Sequence, residues 1–268
     1  TNIGKISRIF KPRTKKSRVQ RVLYQPGLGT VTTTEKDTDS DNLSFNKIVG
    51  RILGTGHDTM IMSIYHYLCV VWRPKDTLYF FGFSRGAYLA RILASFVADV
   101  GILKHDCENL ITKIANLFKI WVANKGEKSI YRVTGEYRGL LQTDVEIPFM
   151  GVYDTVSSLG APDQFGLNLQ TTRYEFAEQI HDRPEIKKVR HALSLSERRE
   201  NWKCVMFKKH PHGLVETLDK SGSPRISQVW FPGYHNCVGG GTRQKGNTAP
   251  IVSLIWMISK FKDLLEVN

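Results

Sequence analysis

The sequence has few cysteines, no long apolar run and no acidic residue near its start. Its four cysteines lie far apart without a C-x-x-C pair, which argues against a zinc knuckle and a dense disulfide framework. The longest apolar stretches, 61–72 and 77–98, are broken by His66, Arg85 and Arg91, so neither can span a membrane. The polar, basic start lacks the apolar core of a signal peptide. We therefore expect a cytoplasmic protein without a transmembrane segment.

Basic residues exceed acidic ones by 38 to 25, which gives a formal charge of +13. Residues 1–21 contain eight basic and no acidic residues, and 187–209 contain another eight against Glu197 and Glu200. Such runs favour anionic partners, although a solvated basic surface is the alternative. No RNP motif, C2H2 finger or basic zipper accompanies the charge. We expect an anionic lipid surface as a partner rather than nucleic acid.

The apolar patterning predicts strands that alternate with helices. Predicted helices lie at 3–10, 58–72, 87–97, 108–123 and 251–265, and another begins at Pro184 and continues through Arg198. Predicted strands lie at 22–24, 77–82, 145–153 and 226–231, with a break at Pro148 and a surface loop at 31–44. This order predicts one α/β domain over residues 1–268, with a mostly parallel sheet flanked by helices. The mixed region 160–225 is predicted to be an insertion.

One segment, Gly82-Phe83-Ser84-Arg85-Gly86, combines a predicted strand end with a predicted helix start. A serine between two glycines in this context indicates a nucleophile elbow, in which the hydroxyl stands at the tip of the sheet. Gly82 and Gly86 are expected to allow close packing of strand and helix, where any side chain would collide. An ordinary glycine turn with a buried serine is the alternative.

Two other predicted strands end in residues that could complete a hydrolytic site with Ser84. Asp154 directly follows the strand at 145–153, and His235 follows the strand at 226–231. Carboxyl ends of parallel strands meet at one edge of a sheet, and serine, acid, histidine is the chain order of α/β hydrolases. His235 would take the proton of Ser84, and Asp154 would orient the imidazole.

The remaining candidates are an oxyanion donor and several weaker residues. The amide of Arg85 follows the nucleophile and is expected to stabilise an oxyanion. Asp154 could instead be a turn residue and His235 a structural loop histidine. Asp144 and Asp163 are weaker acids because neither ends an apolar strand. The histidines of 210–212 match no standard ligand spacing, so we expect no metal and no organic cofactor.

Four stretches of the chain resemble the signatures of one family: GFSRGAYLAR, GVYDTVSSLG, VRHALSLSERR and QVWFPGYHNCVGGG. The family comprises α/β hydrolases once called a domain of unknown function and now associated with the catalytic domain of type VI secretion phospholipase effectors. YQPGLGT and TNIGKISRIF resemble its N-terminal part, so the resemblance covers nearly the whole chain. It implies that Ser84, Asp154 and His235 form the triad of a serine esterase or lipase that cleaves carboxylic esters such as phospholipids. A catalytically impaired hydrolase fold that serves as an anion-binding or interaction module is the alternative.

The chain departs from the family pattern at two places. The family has a strand ending in Asp-Gly-Thr shortly before the equivalent of Thr1-Asn2, and the resemblance implies that this strand supplies the second oxyanion donor. We therefore expect a sheet without its first strand, with poor ester turnover and limited solubility that restoring the strand would reverse. Amides of Gly27 to Thr30 are the alternative donors. Cys237 stands where the family has an aspartate, which is expected to alter the fine geometry of the histidine loop.

Overall fold

The computed structural model describes residues 1–26, 56–127, 136–157, 174–178, 180–208, 218, 222, 224–241 and 248–268. Its helices are α1 (Asn2–Ile9), α2 (Gly56–Val71), α3 (Arg85–Val100), α4 (Leu110–Ala123), α5 (His235–Val238) and α6 (Ala249–Phe261). Its strands are β1 (Thr77–Phe83), β2 (Ile102–Leu103), β3 (Leu141–Gln142), β4 (Glu146–Tyr153), β5 (Val189–Ser194) and β6 (Ile226–Phe231). The predicted loop at 31–44 lies outside these ranges, and so do parts of the region 160–225. The insertion therefore stays a prediction.

Four of the strands form a sheet in the order β1-β4-β5-β6, and every neighbouring pair is parallel. The short strands β2 and β3 pair antiparallel, apart from this sheet. Because parallel strands share one direction, the carboxyl ends of β1, β4, β5 and β6 meet at a single edge. The predicted α/β class with a mostly parallel sheet is confirmed.

Helices cover both faces of the sheet and enclose two apolar cores. One core packs α2, α3 and α4 against one face, with Phe80 of β1 and Met150 of β4 pointing into it. The other core packs α1 and α6 against the opposite face, with Phe149 and Tyr153 of β4. A strand that is buried on both faces has a continuous apolar run in its sequence, and the sequences of β1 and β4 show this pattern.

Pro148 produces a bulge within β4 where the sequence predicts a break. Thr77 of β1 pairs with Glu146 and Tyr79 pairs with Phe149, so β4 has one residue more than β1 over this stretch. The extra residue shifts the side-chain alternation, because Ile147 and Phe149 enter opposite cores. A proline lacks the N–H of a regular ladder and is accommodated at such a bulge.

Two predicted elements are wrong. The stretch predicted as a helix from Pro184 through Arg198 contains β5, whose six residues are all buried between β4 and β6. A strand buried on both faces has no period of two, so its sequence cannot be distinguished by periodicity from a buried helix. Residues 22–24 form no strand, because their backbone pairs with no neighbouring strand.

Candidate active site

Ser84 lies in a strained turn between β1 and α3, as the elbow motif predicts. Its φ and ψ angles are 58° and −129°, a conformation that few non-glycine residues adopt. The Ser84 N–H donates to the carbonyl of Tyr153, and the Ser84 carbonyl accepts from the amides of Ala87 and Tyr88. These bonds fix the serine at the point where the strand becomes the helix.

The two glycines of the elbow have different roles. A methyl group at Gly82 would lie 2.5 Å from Ala87 Cα and 2.6 Å from the Gly86 carbonyl oxygen, so only glycine lets β1 and α3 approach. A methyl group at Gly86 would meet no atom within 4 Å. The prediction of a collision at Gly86 is therefore wrong, because this residue faces open space beside Ser84.

A continuous series of hydrogen bonds connects Ser84 to Asp154. Ser84 Oγ lies 2.8 Å from His235 Nε2, and His235 Nδ1 lies 2.6 Å from Asp154 Oδ2. The side chains of His235 and Asp154 are buried, at 1% and 0% exposure. An ionised carboxylate only accepts hydrogen bonds, so Nδ1 carries the ring proton and Nε2 accepts from the serine hydroxyl. The structure thus brings together all three residues that the strand ends predict.

Ser194, which the sequence analysis missed, holds the Asp154 carboxylate from the neighbouring strand β5. Its amide donates to Oδ1 at 2.9 Å and its hydroxyl donates to Oδ2 at 2.7 Å. Burial raises the pKa of Asp154, but the hydrogen bonds from His235 and Ser194 outweigh it and lower the pKa below its ordinary value of 3.8. The sequence predicts a helix where β5 lies, and this error hid the role of Ser194. A serine at the carboxyl end of a parallel strand reaches the same sheet edge as Asp154.

Two aromatic rings enclose the His235 imidazole. Phe83 lies in a tilted stack at a centroid distance of 4.6 Å, and Trp202 contacts it edge to face at the same distance. The Arg199 guanidinium lies 4.2 Å over the Trp202 ring. These contacts restrict rotation of the imidazole and shield its hydrogen bonds from water.

The loop that carries His235 is also fixed through its backbone. The Asn2 amide donates to the Gly239 carbonyl at 2.8 Å, and Asn2 Nδ2 donates to the Val238 carbonyl at 3.0 Å. The His235 amide donates to the Glu197 carboxylate at 3.4 Å. Helix α1 and the segment after β5 therefore hold the histidine loop from two sides.

Glu197 should make the stability of this region dependent on pH. Hydrogen bonds from Arg199 lower its pKa from 4.5 to about 2, although burial opposes them. A lowered folded-state pKa stabilises the protein above pH 4.5 and loses this contribution as pH falls toward 2. We expect the unfolding free energy of wild type to exceed that of Glu197→Gln at neutral pH and the difference to shrink toward pH 2, measured by urea denaturation.

The matched control is Glu200→Gln, which changes an exposed carboxyl group close by in sequence. A difference between wild type and Glu197→Gln that is constant from pH 7 to pH 2 would contradict this account.

Ser84 and His235 open into a cleft of about 1650 Å³. Arg85, Gly86 and Trp202 line it at the same end as these two residues. Arg85 opens α3, so its amide lies beside Ser84 at the positive end of the helix dipole. The site therefore combines a hydroxyl, a base and a nearby N-terminal helix amide around one accessible space.

The weaker candidates lie elsewhere or outside the described ranges. Asp144 is exposed and precedes β4, at the opposite end of that strand from Asp154. His191 is buried within β5, where burial lowers its pKa to about 3, and its ring contacts Thr155 and Gln228. Asp163, Gly27–Thr30 and the histidines of 210–212 are not among the described residues. Within the described ranges no cluster of three or more His, Cys, Asp or Glu could hold a metal ion.

The fold is of the α/β class, and at one edge of its sheet a strained serine, a buried histidine and a buried aspartate lie within hydrogen-bond reach, an arrangement like that of α/β hydrolases. The family model for the catalytic domain of Tle1-like type VI secretion phospholipase effectors matches residues 1–260, and the chain belongs to this family. An uncharacterized Saccharomyces cerevisiae protein, YEL023C, is 27% identical over 220 residues, which cover 79% of this chain and 30% of the yeast protein. The chain thus spans less than a third of that relative's length.

None of the described helices is long and apolar enough to cross a membrane.

Proposed function

We propose that this domain is a serine hydrolase that cleaves carboxylic esters through an acyl-enzyme intermediate. The observation that carries the proposal is the continuous series of hydrogen bonds from Ser84 through His235 to Asp154, at 2.8 and 2.6 Å. Nucleophile, base and orienting acid stand within hydrogen-bond reach of one another, which nucleophilic catalysis requires.

The steps of the reaction follow from the partners of each atom. His235 Nε2 accepts the Ser84 hydroxyl proton while Oγ bonds to the ester carbonyl carbon, and Asp154 stabilises the resulting imidazolium. The Arg85 amide stabilises the negative carbonyl oxygen. His235 then returns the proton to the leaving alcohol as the ester C–O bond breaks. Water, deprotonated by His235, releases the carboxylic acid and regenerates the serine.

Membership in a phospholipase effector family supports a lipid ester as substrate. The basic residues along the cleft, including Lys15, Lys16, Arg18 and Arg21, support an anionic headgroup or an anionic lipid surface. No metal or organic cofactor takes part in this scheme. The same net charge of +13 favours a second candidate, a catalytically impaired hydrolase fold that binds anions or another macromolecule.

A fluorophosphonate probe separates the two candidates without knowledge of the substrate. The hydrolase proposal expects covalent labelling of the chain, with the adduct on the peptide that contains Ser84, identified by mass spectrometry. A folded chain that never labels and hydrolyses neither an aryl ester nor a phospholipid would favour the binding module.

Ser194→Ala tests the positioning of the acid. The change removes the hydroxyl that donates to Asp154 Oδ2 but leaves the amide that donates to Oδ1. A hydrogen bond to a charged group contributes about 1.5 to 3 kcal/mol, so we expect kcat for a short-chain aryl ester to fall about 10- to 100-fold. Ser194→Thr retains a hydroxyl and should keep more activity. Equal kcat for wild type and Ser194→Ala would remove Ser194 from the mechanism.

A further inference from the structure

The backbone of Asp154 is strained, as is that of Ser84. Its φ angle is 39°, in the left-handed region that non-glycine residues seldom adopt. β4 ends one residue earlier at Tyr153, and the Asp154 amide still bonds to the carbonyl of Ala192 on β5, at 2.8 Å. A strained conformation persists only where its surroundings fix it. The groups that hold the turn after Asp154 therefore decide where its carboxylate stands.

The next amide along the chain, that of Thr155, donates to a side chain of β5 rather than to its backbone. Thr155 N lies 3.2 Å from His191 Nε2, and both residues are fully buried. The Thr155 hydroxyl and the Cys204 thiol lie 3.1 and 3.6 Å from the same nitrogen. A buried amide without an acceptor is costly. His191 thus takes the place of the strand ladder at the first residue beyond the acid.

The hydrogen bonds of the His191 ring define its tautomer. A backbone amide can only donate, so Nε2 is the unprotonated nitrogen and Nδ1 carries the proton. Nδ1 lies 3.2 Å from Gln228 Oε1 on β6. The backbone of Phe207 orients the Gln228 amide, because it donates to Oε1 at 2.8 Å and accepts from Nε2 at 3.0 Å. This arrangement keeps the lone pair of His191 Nε2 available to Thr155.

The His191 ring is also held neutral. Burial and the positive charge of Arg91 lower the pKa of His191 to about 3, although Gln228 and Asp154 oppose them. A protonated Nε2 would set one N–H against that of Thr155. The neutral form is therefore the one that the surrounding groups require.

Other hydrogen bonds fix the rest of the turn. The Thr155 carbonyl accepts from the Val205 amide at 2.8 Å, and the Val205 carbonyl accepts from Arg91 Nη1 at 2.6 Å. The Val156 amide donates to the Ser84 carbonyl at 3.3 Å. The turn that carries the acid therefore also contacts the nucleophile elbow.

We propose that His191 is a positioning residue of the hydrolase, which fixes the turn that carries Asp154 by accepting the Thr155 amide. Asp154 Oδ2 lies 2.6 Å from His235 Nδ1, and a small displacement of the turn breaks this alignment. The inference rests on the proposed ester hydrolysis, but one of its tests needs no turnover.

Two substitutions at His191 separate the hydrogen-bond acceptor from the volume of the ring. Leucine fills the space but accepts no hydrogen bond, whereas the amide oxygen of glutamine can take the place of Nε2. We expect His191→Leu to lower kcat for a short-chain aryl ester about 10- to 100-fold, with little change in KM. The rate of fluorophosphonate labelling should fall in parallel. His191→Gln should restore most of the loss.

The matched control is Tyr65→Phe, which removes the acceptor of a buried amide elsewhere in the protein. The Tyr65 hydroxyl, on α2, accepts from the Leu103 amide at 3.2 Å and donates to the Gly101 carbonyl at 2.9 Å. We expect Tyr65→Phe to lower the unfolding free energy, as His191→Leu does, but to leave kcat unchanged. Equal losses of kcat, at a temperature where both variants are folded, would assign His191 to general stability and overturn the proposal.

Proton NMR tests the positioning without any ester. The His235 Nδ1 proton, which bonds to Asp154, should give a resonance far downfield that His235→Gln removes. We expect this resonance in wild type, His191→Gln and Tyr65→Phe, and its loss or broadening in His191→Leu. An unchanged resonance in His191→Leu would overturn the proposal.

The nitrogen-15 spectrum of wild type decides the case if His191→Leu does not fold. We expect an unprotonated Nε2 and a protonated Nδ1 on His191, and the opposite tautomer would overturn the proposal. Failure of folded wild type to label with the fluorophosphonate would instead refute the proposed hydrolysis, and the NMR results would still decide the role of His191.

Discussion

Replacing Ser84 with alanine is expected to abolish both fluorophosphonate labelling and ester hydrolysis. The change removes only the oxygen that lies 2.8 Å from His235 Nε2, and no other described group is placed to attack a carbonyl carbon there. Loss of a catalytic serine lowers kcat by a factor on the order of 10⁴ to 10⁶ in serine hydrolases. The measurement is kcat for a short-chain aryl ester and in-gel labelling at equal protein concentration.

Folding of the Ser84→Ala variant should be intact, because alanine fits the same turn with a smaller side chain. Its circular dichroism spectrum and unfolding midpoint should match those of wild type to within a few degrees. Ser259→Ala, which changes an exposed serine on α6, is the matched control and should retain full labelling. Residual ester turnover by Ser84→Ala at the wild-type rate would show that the nucleophile lies elsewhere.

Replacing Gly82 with alanine is expected to prevent folding or to lower the unfolding free energy by about 4 kcal/mol or more. The new methyl group would approach the backbone of Ala87 and Gly86 at 2.5 to 2.6 Å, and backbone atoms cannot rotate aside as a side-chain end can. The strand β1 and the helix α3 would have to separate. Soluble yield and urea denaturation measure the effect.

Gly86→Ala is the matched control for Gly82→Ala. It changes the other glycine of the same motif, yet its methyl group meets open space. We expect a folded protein with an unfolding free energy within about 1 kcal/mol of wild type. Similar destabilisation of both variants would show that the elbow packs differently from the structure described above.

The sequence by itself determined the class of fold and the three residues proposed for catalysis. Apolar runs followed by Ser84, Asp154 and His235 are local patterns, and parallel strands bring their carboxyl ends to one edge whatever the rest of the chain does. The strained turn at Ser84 could also be predicted from the sequence, because Gly82 lies next to the predicted change from strand to helix.

Only the tertiary structure decided the features that depend on partners distant in sequence. β5 became a strand because β4 and β6 lie on either side of it, and the same context brought Ser194 to the Asp154 carboxylate. Residues 22–24 have strand-forming side chains but form no strand, because a strand needs a paired neighbour. Gly82 and Gly86 hold equivalent places in the motif. Only at Gly82 would an added methyl group collide with backbone atoms. Burial and pairing are properties of the assembled chain, and no local pattern encodes them alone.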